Sequence, residues 1–106
     1  MVRAVPFVFV FAETARESLN WVEHKWHRTI QEAMNEQLRF QPDIPTRNRK
    51  PLREPIQGAT WELRCGPDNR FRVLYKVDPE LREVQVVAIG EKRNNQLWIA
   101  GREVTP

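Results

Sequence analysis

The side chains best suited to chemistry in this chain are arginines and lysines set at strand spacing. From Arg70 to Val77 the order is RFRVLYKV. In an extended strand Phe71, Val73, Tyr75 and Val77 point one way, and Arg70, Arg72, Leu74 and Lys76 the other. Just upstream, Glu62 and Arg64 share a face opposite Trp61, Leu63 and Cys65. A sheet built from these strands has one greasy face and one carrying arginines. Its chemistry is that of phosphates, because guanidinium groups present rigid donors matched to phosphate oxygens. Suppose RNA lies on this face and is cut through its own 2′-hydroxyl. The hydroxyl must align with the phosphorus, the phosphorane charge must be held, and a proton must reach the leaving oxygen. Fixed guanidinium groups do the second job.

A second basic group lies between residues 46 and 53, TRNRKPLR. Arg47, Arg49, Lys50 and Arg53 put four positive charges into seven residues with no acid among them. The formal charge is +3, so most of the excess is local to this segment. It reads either as a solvated loop or as a phosphate-contacting one. Trp98 is either a lid on the core or a stacking surface for a base. His24 and His27 stand three apart on a helix, but no further ligands stand at metal-site spacing, so they read as solvated. Trp21 and Trp26 read as core or edge aromatics.

The elements that must position these residues are legible in outline. Trp61 to Cys65, Asn69 to Val77 and Val84 to Ile89 read as three strands of an antiparallel meander. Gly66-Pro67-Asp68-Asn69 and Asp78-Pro79-Glu80 supply the turns. Val84, Val86 and Ala88 fall on one face of the third strand and Val87 and Ile89 on the other, which predicts a central strand covered on both sides. Pro6 to Ala12, PFVFVFA, reads as a buried strand pairing with the meander. Glu13 to Leu38 reads as an α-hairpin with a break near residues 20–23 and Thr14 as N-cap. Trp26, Ile30, Ala33, Met34 and Leu38 form the apolar stripe of its second helix. Phe40 to Gln57 holds Pro42, Pro45, Pro51 and Pro55, which predict a linker rather than a helix or central strand. The tail suggests a short edge strand with Gly101 at a turn. The expected fold is α+β: an N-terminal strand, an α-hairpin and a three-strand meander in one sheet.

At 106 residues, with 41% hydrophobic and 29% charged side chains, the chain reads as one globular domain, residues 1–106. The apolar N-terminal run is too short to span a membrane and lacks a signal-peptide cleavage pattern. Cys65 is the only cysteine, which suits a reducing cytoplasm and reads as a small buried hydrophobe. Gly-rich phosphate loops, paired-cysteine zinc spacings and nucleophile elbows are lacking, so no cofactor or metal is expected.

Taken in order, LRCGPDNRFRVLYKVD followed by VVAIGEKR resembles the core of the RelE/ParE toxins of bacterial type II toxin–antitoxin systems. That family shows an arginine-bearing hairpin, an Arg-x-x-Tyr strand, and an apolar strand closing on Gly with Lys/Arg behind it. These parts are Leu63-Arg64, Arg72 to Tyr75, and Ile89-Gly90 with Lys92 and Arg93. The resemblance runs from Pro6 to about Trp98. It implies a RelE-like fold and an antitoxin protein as partner, laid over the sheet and the edge of the α-hairpin. It also implies a ribosome-dependent mRNA endoribonuclease in which Arg72, Arg93 and Arg64 are catalytic. Arg47, Arg49, Lys50, Arg53, Lys76 and Trp98 would then bind the substrate. Trp98 stands near where one branch has a C-terminal tyrosine, and Glu62 where that branch has a lysine, so no general acid–base pair is visible. A non-catalytic reading therefore stays open: a ParE-like inhibitor of DNA gyrase, or a member that only binds its antitoxin. Loss of Arg72 is expected to cost the most activity at the least cost to folding, the alternative being an ion pair with Glu62 on the adjacent strand.

Overall fold

The computed structural model describes residues 5–104. The chain runs β1 (Val8–Phe11), α1 (Glu13–Leu19), a 3-10 turn (His24–Trp26), α2 (His27–Leu38), β2 (Arg49–Ile56) and β3 (Ala59–Cys65). A second 3-10 turn (Pro67–Asn69) leads to β4 (Phe71–Asp78), β5 (Glu83–Arg93), β6 (Gln96–Ile99) and β7 (Arg102–Val104). All strands form one sheet in the order β2-β3-β4-β5-β6-β7, with β1 lying parallel to β5. The meander and the N-terminal strand's pairing with it are as expected. Two outer parts differ. The proline-rich linker contributes edge strand β2, which carries Pro51 and Pro55 and breaks register between Pro51 and Ile56. A strand edge tolerates prolines because the missing N–H faces no partner. The tail forms a hairpin of two strands rather than one, turning at Ala100-Gly101.

The turns follow their residues. Gly66 takes φ +80, and a Cβ there would stand 2.5 Å from the Phe71 ring. Only glycine lets the chain pass that ring. Asp78 Oδ1 accepts the N–H groups of Glu80 and Leu81 at 3.1 and 3.0 Å, an Asx turn closing the β4–β5 hairpin.

The helices cover one face. Ile30, Met34 and Leu38 of α2 meet Leu63, Phe71, Val73 and Tyr75 in the main core. The α-hairpin breaks where the phase of its apolar residues shifts. Thr14 does not cap α1: Ala12 is the N-cap, without a side-chain bond. The Thr14 hydroxyl instead donates to Val87 O at 2.6 Å, and Ser18 Oγ accepts Ile89 N–H at 2.8 Å. β1 covers β5 only from residue 83 to 86, and β6 only from 90 to 93. Two hydroxyls one helical turn apart thus serve backbone groups of the stretch between, which would otherwise be buried unpaired.

The opposite face is only partly polar, against the simple division into a greasy and an arginine face. Ala59, Leu74, Val87, Ala88 and Ile99 form a second apolar cluster there, with Leu52, Ile56, Leu97 and Val104 packed on it. The sheet curls so that β2 and the β6–β7 hairpin close over β4 and β5. A bulge makes this possible. Leu74 pairs with Ala88 but Tyr75 pairs with Val86, leaving Val87 as the extra residue.

Candidate functional site

β3 and β4 pair with Arg64 opposite Arg72, so both side chains rise from the face away from the helices. Like charges directly opposite repel. Glu62 relieves this. Its Oε1 lies 3.0 Å from Arg64 Nε and its Oε2 3.7 Å from Arg72 Nε. Arg72 also donates through Nη1 to Asn69 O, and only 9% of its side chain is exposed, against 34% for Arg64. The Arg72–Glu62 ion pair is therefore present. Burial lowers the Arg72 pKa from the ordinary guanidinium value, Glu62 opposes that, and Arg64 adds to it. Because Arg72 also ties the tight turn at Asn69, replacing it by alanine carries a folding cost that its strand position alone did not reveal.

The bulge decides which basic residues join this pair. With unbroken alternation, Arg93 would share the face of Val87 and Ile89. The extra residue reverses the order beyond Val87, so Ile89, Glu91 and Arg93 turn to the helix side, where Glu91 pairs with Phe71. Arg93 accordingly stands on the far side of the sheet from Arg72, with Nη2 3.4 Å from Glu91 Oε1. Lys92 takes its place. It lies two residues beyond Gly90, which pairs with Arg72, and so shares the Arg72 face. Only the bulge between β4 and β5, invisible in the alternation of β5 alone, brings Lys92 to that face.

The other expected binders are dispersed. Lys50 pairs with Glu62 across β2–β3 and is exposed on the same face. Arg47 is exposed in the approach to β2, and Arg53 borders a cleft of about 650 Å³ between β2 and Val104. Lys76 is exposed four residues along β4 from Arg72, roughly 13 Å away at strand rise. Arg49 is turned inward: it is 6% exposed, and it donates to Ile44 O at 2.9 Å and to Gln37 O. It pins the α2–β2 connection beneath the last turn of the helix, where a cation is favoured. Trp98 pairs with Glu91 and so belongs to the helix side with Arg93.

Groups able to move a proton are few on the basic face. The Tyr75 hydroxyl is buried and donates to Pro42 O at 2.6 Å, and burial raises its pKa far above the usual phenol value. Burial also pushes the Cys65 thiol up to about 11. The His24 and His27 rings lie 5.0 Å apart, tilted by 44°, with His27 Nε2 2.9 Å from Val22 O, and no three-ligand metal cluster occurs among the described residues. The lysines that share the Arg72 face are Lys50, Lys76 and Lys92.

A helical hairpin on a curled, mostly antiparallel sheet is a RelE-like fold. The particular likeness is to a chain of the toxin–antitoxin complex RelBE2 from Mycobacterium tuberculosis, with TM-score 0.65 and 27% sequence identity over 85% of this chain and 95% of that one. The resemblance carried by Arg64, the Arg72–Tyr75 strand and Ile89-Gly90 is thereby borne out. No protein-family model matches the chain, and no curated protein does. No helix among the described residues is long and apolar enough to cross a membrane.

Proposed function

We propose that this chain is the toxin of a two-component toxin–antitoxin module and acts on mRNA at the ribosome as an endoribonuclease that inhibits translation. The observation that carries this reading is the Arg64–Arg72 pair, held side by side by Glu62 and flanked by Lys50 and Lys92. Two guanidinium groups anchored on rigid strands are suited to hold an RNA phosphate while the adjacent 2′-hydroxyl attacks. The 2′-hydroxyl gives up its proton to solvent water as its oxygen bonds to phosphorus, and the bond to the 5′-oxygen breaks. Lys92 supplies the proton that the leaving oxygen takes up.

The partner surface is separate. Phe11, Ala15, Leu19, Ile30 and Met34 line an apolar groove of about 350 Å³ between the two helices and the end of β1. An amphipathic antitoxin segment with acidic flanks fits it, since the toxin carries +3 and Arg16 and His27 stand at the groove.

The test is inducible expression in a bacterium. Arg72→Lys keeps the charge but not the planar fork. It is expected to lose growth arrest and mRNA cleavage while still folding and co-purifying with the antitoxin, at a modest cost in melting temperature from the weakened contacts to Asn69 and Glu62. Full arrest in the folded variant would overturn the reading. One observation favours a second reading, gyrase inhibition without cleavage: Tyr75 and Trp98 are both withdrawn from the basic face. Lost supercoiling with intact mRNA after induction would select it.

A further inference from the structure

The helix side of the sheet holds a second recess, of about 210 Å³, beside the arginine that the bulge sends there. Trp21, just after α1, forms one wall and is 63% exposed, an indole the core has not claimed. Its edge rests on the β6–β7 turn, where a Cβ on Gly101 would stand 2.6 Å from Trp21 Cζ3. The absence of a side chain at Gly101 therefore seats the indole. Trp98 and Glu91 also line the recess and are cross-strand partners, so indole and carboxylate stand side by side.

Glu91 is 6% exposed. Arg70 holds its Oε2 from two nitrogens, at 2.7 and 2.8 Å. Its Oε1 has only a long contact of 3.4 Å with Arg93, whose side chain is 56% exposed. The carboxylate is thus anchored, with one oxygen weakly engaged beside the two indoles. A buried acceptor in that condition suits an incoming donor. A cationic ligand is disfavoured, because Arg70 and Arg93 already outweigh the one negative charge. A neutral planar group fits better, with its face for an indole and adjacent N–H donors on one edge.

We propose that this recess binds the guanine base of single-stranded RNA, stacked on Trp21 with its N1–H and exocyclic N2–H donating to Glu91. Arg93 then leaves Glu91 for the neighbouring phosphate. This rests on the RNA reading of the basic face. β5 ends with Lys92 turned to that face and Arg93 to this one, so a strand crossing the Asn94-Asn95 turn touches both. Adenine presents an acceptor where guanine presents N1–H, and so meets the carboxylate with a repulsive contact.

The experiment is calorimetric titration of the full chain with guanosine, inosine and adenosine 5′-monophosphates. The guanine nucleotide is expected to bind about tenfold or more tightly than the adenine nucleotide, the scale of a bidentate contact. Inosine, which keeps N1–H but lacks the exocyclic amine, should fall between. Trp21→Ala should weaken guanine binding roughly tenfold, Trp21→Phe should restore most of it, and neither should move the melting temperature, because the side chain is exposed. Arg72→Lys, which tests the basic face, should leave the preference for the guanine over the adenine nucleotide unchanged. Failure of the two readings is thus distinguishable: lost growth arrest belongs to Arg72, lost base selectivity to Trp21. Equal affinity for guanine and adenine nucleotides, undiminished binding in Trp21→Ala, or no binding of any mononucleotide would overturn the proposal.

Discussion

Glu62 places one negative charge between two guanidinium groups, and its effect on RNA binding has a sign that can be measured. If only net charge mattered, Glu62→Gln would tighten binding, since it removes an acid from a basic face. If the carboxylate aligns Arg64 and Arg72, the same change loosens it. We expect loosening on the order of fivefold, about 1 kcal/mol for one weakened charge-assisted interaction, read by titration with a short RNA. Tighter binding would refute the alignment. Cys65 gives a second residue-scale prediction. The unfolded thiol ionises near its ordinary value of 9.0, whereas the folded one keeps its proton to about 11 because it is buried. The unfolded state therefore loses its proton first, and stability falls as pH rises from about 9 to about 11. The loss is on the order of 2 kcal/mol. Denaturant unfolding across that range should show the fall in the parent chain and a shallower one in Cys65→Ala. Equal slopes would remove the thiol from the account.

Edge strand β1 and helix α1 together build the proposed partner surface. β1 carries exposed Val8, Val10 and Phe11. Among the described residues β5 is its one strand neighbour, which leaves the other edge open to an added strand. Phe11 lies at the junction of that edge with the apolar groove. Phe11→Asp is expected to abolish co-purification with the antitoxin and to leave the melting temperature nearly unchanged, because Phe11 is 41% exposed. Undiminished co-purification would move the partner elsewhere. At this scale α1 has a second duty. Thr14 and Ser18 close the gap on β5 between the reach of β1 and that of β6. Their hydroxyls were better employed there than at a helix cap, which is why the capping pattern around Thr14 and Glu17 misled.

Across the whole molecule, the curl of the sheet creates two cores from one layer. The larger lies under the helices. The smaller, around Leu74, Val87, Ala88 and Ile99, lies inside the curl and holds the β6–β7 hairpin against the central strands. Ile99 is 5% exposed at its centre. Ile99→Ala is therefore expected to cost about 2–5 kcal/mol, the range for truncating a buried aliphatic side chain, in urea unfolding. A cost within experimental error would mean that the hairpin is not part of the cooperative unit.

The sequence by itself determined the succession of N-terminal strand, helical hairpin and meander, the two turns, the apolar face of β3 and β4, and the shared face of Arg64 and Arg72. All of these follow from local chemistry: period-two alternation, Gly66 before Pro67, Asp78 before Pro79, and helical spacing from Trp26 to Leu38. Tertiary structure alone decided the rest. Pro51 and Pro55 argue against a central strand but not against an edge, and only the completed sheet shows that an edge was available. Arg49 and Arg53 look equivalent in sequence, yet Arg49 finds the carbonyls of Gln37 and Ile44 while Arg53 stays at the surface. Val87 carries no mark of a bulge. The extra residue appears only when β4 and β5 are paired, because register is a property of two strands together. That single offset exchanges Lys92 for Arg93 on the basic face, and sends Arg93 to join Glu91, Trp98 and Trp21 on the other.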